Sequence, residues 1–487
     1  MPVRKKSTQR SLAPTLVARL NANVAFEAQA DGHVVARFEG YAQSFGQFTP
    51  AVRKRLGELR TGWPLASTGR GRAADKEIDV LLQRLARSGL LEYRLLAARG
   101  GKDRVVIEPQ VADYWPQAAK IANSDTIALS RFAYLRRRGK GMVLESPCAG
   151  ALFRISDPKI ASALATLSEP QKVGRYREER DFPGLELLGL LLDCQILFKL
   201  RLGDVDGQRA SEGDPNLVLW DFHDLLFHTR STEGRQANPL GGLYSYSDLM
   251  TPLPAVRPPW PGQPIHLDSA ASSPTPFASL LDERRSIRDF DDEHPVTLAE
   301  LAVLLQTAAR VRAKWTDRAD IGDEGPEVSY ASRPYPSGGA AYELELYLVV
   351  NTCEGLARGF YHYDAERHAL TSIDVALEAL DAQLADAEFA IGASAFPQIL
   401  IVIAARFARV SWKYSSVAYS LILKDVGVLT QTLYLAATDM GLGGCAIGTN
   451  NIDRFARMTG LDFSIEGPVG QFALGRGGRD AAGGESG

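Results

Sequence analysis

Two hydrophobic periods alternate along the chain and divide it into blocks. In residues 14–112, Val24-Ala-Phe-Glu and Val34-Val-Ala-Arg-Phe alternate apolar with polar positions, which predicts strands. Residues 50–59 predict a helix. A second helix carries Ile78, Leu81, Leu82 and Leu85 on one face and stops at Gly89. Leu90-Leu-Glu-Tyr-Arg-Leu and Val105-Val-Ile-Glu then predict a closing hairpin. Residues 113–212 repeat that order. Thr126-Ile-Ala-Leu and Met142-Val-Leu-Glu predict strands, residues 157–167 a helix opened by an Asp cap, and an apolar run over 185–192 leads to Ile196-Leu-Phe-Lys-Leu. Leu82, Leu85 and Leu91 align with Leu188, Leu191 and Leu197 at a constant offset. Strands, helices and a closing hairpin are the parts of a winged-helix unit, so the pattern predicts a tandem pair. Two unrelated α+β stretches are the alternative.

Residues 213–275 form a junction. Leu217-Val-Leu-Trp-Asp-Phe-His-Asp-Leu-Leu-Phe-His is amphipathic and predicts a helix. His223 and His228 do not have the i, i+4 spacing of two metal ligands on one helix face, and no metal site is expected. Pro252, Pro254, Pro258, Pro259, Pro261 and Pro264 predict an extended connector. Residues 276–478 then alternate helices and strands, which predicts an α+β domain. Thr297-Leu-Ala-Glu reads as a capping box ahead of an apolar face of Leu298, Leu301, Leu304, Leu305 and Ala308. Residues 344–350 and 398–404 predict strands. Residues 418–440 predict a long helix that is apolar on most faces, buried in a dimer core and ended by Gly441 and Gly443. Residues 322–327 predict a charged mobile loop and 479–487 a disordered tail.

Composition narrows the function classes. At 487 residues the chain exceeds one ordinary core. A net charge of -3 gives no support for nucleic-acid or membrane affinity. The helix around Ile78 mixes Glu77, Asp79, Arg84 and Arg87, which does not suit a DNA-reading helix. Cys148, Cys194, Cys353 and Cys445 lie far apart, without metal-type spacing, and suit a reducing cytoplasm. Residues 1–10 are basic but lack an apolar segment behind them, so no secretory signal is read. The most apolar stretches are too short to span a bilayer, or are interrupted by Lys424, Asp425 and Gln431.

The densest candidate chemistry is Arg284-Arg285-Ser286-Ile287-Arg288, a set of forked donors suited to a phosphate; a solvated basic turn is the alternative. It is followed by Arg333-Pro-Tyr-Pro-Ser-Gly-Gly-Ala-Ala-Tyr, by Lys413-Tyr-Ser-Ser, and by Gly441-Leu-Gly-Gly-Cys-Ala-Ile-Gly. In this order and spacing these segments resemble the nitroreductase-like flavoprotein superfamily, and within it the azoline dehydrogenase branch, over roughly residues 216–478. The resemblance implies a nitroreductase-like FMN domain preceded by two winged-helix-like peptide-clamp domains, and a homodimer with FMN at its interface. Arg284, Arg285, Ser286 and Arg288 would hold the phosphate. Pro336, Ser337, Gly338 and Gly339 would line the isoalloxazine ring, with the Ser337 hydroxyl donating to a ring heteroatom. Gly443 and Gly444 would pass the flavin edge, and Arg476 would return to the phosphate. Lys413 and Tyr414 would be catalytic: a base removes the acidic C–H of a thiazoline or oxazoline while hydride leaves to the flavin, and aromatisation drives the loss. Tyrosine serves as a base when an ammonium lowers its pKa. On an extended strand, however, adjacent side chains face opposite sides, so a turn at residues 411–416 is required. The family phrase runs Ala-Leu-Tyr-Pro-Leu-Glu where this chain has Ala340-Ala-Tyr-Glu343-Leu-Glu, a lost proline that alters the turn and removes no chemical group.

Three readings remain open. The first is an FMN-dependent azoline oxidase in the cytoplasm that matures an azoline-containing precursor peptide, with the amino-terminal units binding its leader and a cyclodehydratase as partner. The second is a nicotinamide-dependent nitro or quinone reductase. The third is a non-catalytic scaffold of a cyclodehydratase complex.

Overall fold

The structure is a computed structural model. It describes residues 15–38, 41–67, 73–96, 103–177, 182–200, 212, 214–232, scattered positions of 249–267, 275–319 and 325–477. The 479–487 tail and the amino-terminal residues 1–10 lie outside the described residues, as do parts of the proline-rich connector and of the 322–327 loop. The chain divides between Asn238 and Pro239 into two compact units.

The first unit joins the two amino-terminal blocks. Leu91–Leu96 and Asp103–Pro109 form the expected hairpin, and Asp103–Pro109 also pairs with Ala151–Ile155. One antiparallel sheet of seven strands therefore runs across the border expected at residue 112. Leu82, Leu85 and Leu91 share one core with Leu188, Leu191 and Leu197. Small blocks bury too little apolar surface alone, and a shared sheet and core relieve that. The last strand, Leu197–Lys199, pairs with Thr126–Leu129, so the second block does not close with a hairpin of its own as the first does. Asp157 caps its helix by accepting from the Lys159 amide at 3.0 Å. The junction helix Phe222–Arg230 belongs to this unit. Arg131 donates to the Trp220 carbonyl at 2.9 Å, and fully buried His228 stacks on Trp220.

The second unit carries helices α1 (Pro276–Glu283), α2 (Leu298–Ala308), α3 (Leu377–Ile391), α4 (Ala408–Ser411), α5 (Ala418–Asp439) and α6 (Ile452–Thr459). Its strands are β1 (Ala313–Arg318), β2 (Glu327–Ser332), β3 (Leu344–Val350), β4 (Gly359–Asp364), β5 (Ala369–Ile373), β6 (Ile399–Arg406), β7 (Leu442–Ile447) and β8 (Glu466–Arg476). Six strands form an antiparallel sheet in the order β5-β4-β3-β6-β8-β7. One face packs Tyr347, Val349, Leu400 and Val402 against Leu380 and Leu384 of α3 and Phe455 of α6. On the other face α5 approaches closely enough that a Cβ on Gly470 would stand 2.8 Å from Val426. The capping box is present: Thr297 Oγ1 accepts from the Glu300 amide, and Glu300 accepts from the Thr297 amide. α5 ends as expected at Gly441, at φ +67°, whereas Gly443 lies inside β7 and caps nothing. The hairpin β1–β2 stands out into solvent, with every β1 residue exposed and Trp315 stacked on Tyr330.

A fully buried glutamine ties the sheet to the segment that follows α1. Gln398 Nε2 donates to the Asp291 carbonyl at 2.8 Å, and Oε1 accepts from the amides of Val296 (3.0 Å) and Arg476 (3.1 Å). Leucine at 398 leaves the amides of Val296 and Arg476 without this partner, each at a cost of about 1–3 kcal/mol, and leaves the Asp291 carbonyl only the His294 amide at 3.3 Å. Gln398→Leu is therefore expected to lower unfolding stability by about 3 kcal/mol or more in denaturant titration. A loss below about 1 kcal/mol would show that these three groups find other partners.

Candidate active site

The arginine segment is fastened along β7 by its backbone, and its side chains stay available. The Ile287 amide donates to the Gly444 carbonyl at 2.9 Å, and the Asp291 amide to the Arg476 carbonyl at 2.9 Å. Gly443 and Gly475 permit this closeness: a Cβ would stand 2.7 Å from Ile287 at one and 2.5 Å from Phe290 at the other. A Cβ on Gly444 would collide with the Phe472 ring. Close packing of the protein itself requires glycine at these positions. Ser286 Oγ lies 2.9 Å from the hydroxyl of Tyr434 on α5, and the Arg284 guanidinium sits over the Tyr434 ring at 5.1 Å. Among the described residues, Arg284, Arg285 and Arg288 form no ion pair with a carboxylate, and Arg285 and Arg288 are exposed. Arg476 differs. Its guanidinium grips Glu300 at 2.7 and 2.8 Å and the His294 carbonyl at 2.9 Å, which holds the Glu300 carboxyl below its ordinary range. Nε and Nη2 of Arg476 are thus engaged with the His294 carbonyl and with Glu300 of α2.

Pro336, Ser337, Gly338 and Gly339 form a tight loop ahead of β3. Gly339 (φ +61°), Ala340 (+54°) and Tyr342 (+44°) all occupy the left-handed region. That conformation is costly for residues with a side chain, and it persists only where surroundings enforce it. Here Asp425 of α5, buried at 6 % exposure, accepts from the Gly338 amide at 2.8 Å and from Ser337 Oγ at 2.9 Å. Ser337 Oγ also faces Glu343 at 3.2 Å and accepts from the Tyr342 amide at 3.0 Å. The single hydroxyl proton of Ser337 thus points to carboxylates, which does not fit the expected bond to a flavin heteroatom. Glu343 is fully buried, and burial pushes its carboxyl up to about 7.

Lys413 and Tyr414 meet over this loop. Both their amides donate to the Val410 carbonyl, at 3.0 and 2.9 Å, so the chain turns helically after α4 and does not run as a strand. The turn supplies what an adjacent pair needs in order to face one point. A Cβ on Gly339 would stand 2.5 Å from Tyr414 Oη and 3.1 Å from Lys413 Nζ, and the ammonium lies 5.4 Å from the Tyr414 ring centroid. Arg409 braces the arrangement by donating to the carbonyls of Ala341 (3.0 Å) and Ser329 (3.2 Å).

Sequence reasoning missed Asp425, Glu343, Tyr434 and Arg409. Two carried a signal: Asp425 interrupts an apolar helix, and Glu343 stands where the resembled phrase has proline. Tyr434 and Arg409 are defined only by contacts distant in sequence.

Residues 281–476 match the nitroreductase family, and residues 127–237 match the family of cyanobactin oxidase ThcOx. A Methanocaldococcus jannaschii protein named as a nitroreductase is 31% identical over 169 residues, which cover 35% of this chain and 76% of that protein. Among solved structures, a Ralstonia eutropha JMP134 nitroreductase is 21% identical, covering 44% of this chain and 88% of its own, with a TM-score of 0.32. The E. coli microcin synthetase McbBCD complex with truncated pro-MccB17 bound gives 22%, 56%, 97% and 0.35 in the same order. A Bacteroides fragilis nitroreductase with bound FMN gives 14%, 44%, 95% and 0.27. No described helix is long and apolar enough to cross a membrane. The chain is an oxidoreductase of the nitroreductase family, with a cyanobactin-oxidase segment ahead of its catalytic domain.

Proposed function

We propose that this protein oxidises thiazolines or oxazolines of a ribosomally made precursor peptide to thiazoles or oxazoles, using FMN, as a homodimer. The observation that carries the reading is the convergence of Lys413 and Tyr414 on Gly339, which sets an ionisable pair over a strained, anchored loop. The match to a cyanobactin oxidase family supports the substrate class.

The residues present fit FMN. Three arginines without carboxylate partners suit a phosphate dianion, and a side-chain-free Gly338–Gly339 wall suits a flat ring. Arg284, Arg285, Ser286 and Arg288 would hold the phosphate, and the 336–339 loop would lie along the ring. FMN, when bound, supplies the acceptor for the two electrons and the hydrogen that leave as hydride. Tyr414, with Lys413 beside it, takes the acidic proton from the azoline ring carbon. Lys413 sets a positive charge beside the oxygen that takes that proton. Gly339, having no side chain, lets the Tyr414 hydroxyl and the Lys413 ammonium come close to the loop backbone.

The loop and the arginine segment are held by one helix from different sides. Asp425 anchors the loop and Tyr434 the arginine segment. Nine residues at about 100° each place these side chains about half a turn apart and about 14 Å along α5. That geometry supports a site completed between two copies, with the phosphate held by one chain and the catalytic wall supplied by its partner. In the cell we place the enzyme in the cytoplasm, where its four free cysteines remain thiols, with a cyclodehydratase supplying the azoline.

Anaerobic bleaching of the flavin by an azoline peptide, with the peptide two hydrogens lighter by mass, is the expected result. Bleaching by NADPH alone would make the protein a reductase, and failure to take up FMN would leave the scaffold reading. Lys413→Ala is expected to keep its yellow colour while oxidation falls about 10²–10⁴-fold. An unchanged rate would remove Lys413 from the mechanism. Arg285→Ala/Arg288→Ala is expected to weaken FMN binding by about tenfold or more in a fluorescence titration. Co-refolding that chain with Lys413→Ala is expected to restore activity, since one site of each mixed dimer is then native. Restoration no greater than the sum of the parents would argue that each site lies within one chain.

A further inference from the structure

The strongest unassigned feature is a pair of buried carboxyl groups behind the 336–340 loop. Glu343 is 0% exposed and Asp425 6% exposed, and among the described residues neither forms an ion pair. Glu343 Oε1 is buried and has no hydrogen-bond partner. Ser337 Oγ lies between the two, at 3.2 Å from Glu343 Oε2 and 2.9 Å from Asp425 Oδ2, and has one proton to give. Two carboxylates this close, in a site closed to water, cannot both be ionised at low cost.

The other charged groups around the pair do not neutralise it. Arg333 and Tyr335 approach from the segment ahead of the loop. Arg333 donates to the Leu344 carbonyl at 2.8 Å and its nearest carboxylate is Glu345, while Tyr335 Oη is buried without a partner. From β3, Glu345 adds a further negative charge. From β6, Arg406 gives its backbone amide to the Glu343 carbonyl, and its guanidinium faces Glu345. Beyond the Gly338–Gly339 peptide stand Lys413 and Tyr414. Asp425 Oδ2 accepts from both the Gly338 amide and Ser337 Oγ, so Asp425 is the partner tied to the loop backbone.

We infer that Glu343 is held as a neutral carboxylic acid beside Asp425, and that this carboxyl pair is the positioning element that keeps the Gly338–Gly339 wall closed beneath Lys413 and Tyr414. Ionisation of Glu343 places a negative charge against Ser337 and Asp425 and releases the loop. The inference rests on the proposal that the loop borders FMN. It turns one departure from the resembled phrase, glutamate in place of proline, into an acquired chemical group. Glu343 touches neither substrate nor flavin in this account and acts through the loop.

Burial raises the folded pKa of Glu343 to about 7, above its ordinary value of 4.5. Its contribution to stability is therefore complete below about pH 4.5 and is lost as the pH rises to about 7. Glu343→Gln keeps a neutral donor at this place and cannot ionise. In flavin-free protein, the melting temperature of the wild type relative to Glu343→Gln is expected to fall across that window and to level off above it. The wild type at pH 6 is expected to show an infrared carbonyl band of a protonated carboxyl that disappears on alkaline titration and is missing from Glu343→Gln. FMN affinity of the wild type is expected to drop about tenfold more than that of Glu343→Gln between about pH 6 and pH 8. Parallel pH curves for the two proteins would overturn the inference. If Glu343→Gln does not fold, the wild-type infrared titration still decides, and Asp425→Asn should move the loss of the band to lower pH. The infrared band and the flavin-free stability need neither substrate nor cofactor. A failed azoline assay would leave them standing, and their failure would leave the oxidase reading standing.

Discussion

The second unit depends on a single buried amide. Gln398 uses both ends of its side chain to hold Asp291, Val296 and Arg476 together, where the arginine segment, the approach to α2 and the end of β8 meet. Without it the amides of Val296 and Arg476 would lose their acceptor, and an unmade hydrogen bond costs more than a made one contributes. The arginine segment has no regular structure of its own. Its course is set by this knot and by the bonds of Ile287 and Asp291 to the edge of the sheet. The three arginines can remain without carboxylate partners because the backbone, and not their own side chains, holds the segment in place.

Helix α5 organises the rest. It is anchored to the sheet through small contacts such as Gly470 against Val426, and it offers Asp425 to the loop and Tyr434 to the arginine segment. The apolar character expected of a core helix is therefore broken on purpose at these two places. One polar group fixes the loop and the other the arginine segment. The separation between them is a constant of helical geometry.

Much of this was legible in the sequence wherever the cause was local. The Thr297–Glu300 capping box, strand Leu344–Val350 and the span of α5 follow from spacing alone, and all three stand where the pattern puts them. What could not be read depends on partners far apart in the chain. The amino-terminal blocks looked separate because nothing in residues 103–109 announces pairing with 151–155. The ion pair of Arg476 with Glu300 could not be read because the two lie 176 residues apart. Lys413 and Tyr414 appeared to face opposite sides until the Val410 carbonyl, accepting both amides, set the turn. Glu343 read as the mere loss of a proline, since burial, which gives a carboxyl its chemistry, is not written in one residue.

The left-handed run at Gly339, Ala340 and Tyr342 has a consequence for how the protein fails. A backbone held in such conformations stores roughly 1–3 kcal/mol at each non-glycine position, and that energy is drawn from the fold that surrounds it. The loop behaves as a compressed spring latched by Asp425. A spring of this kind lets go before its housing breaks. The loop geometry is therefore expected to soften below the sheet, so that warming disturbs the candidate site while the secondary structure is still intact.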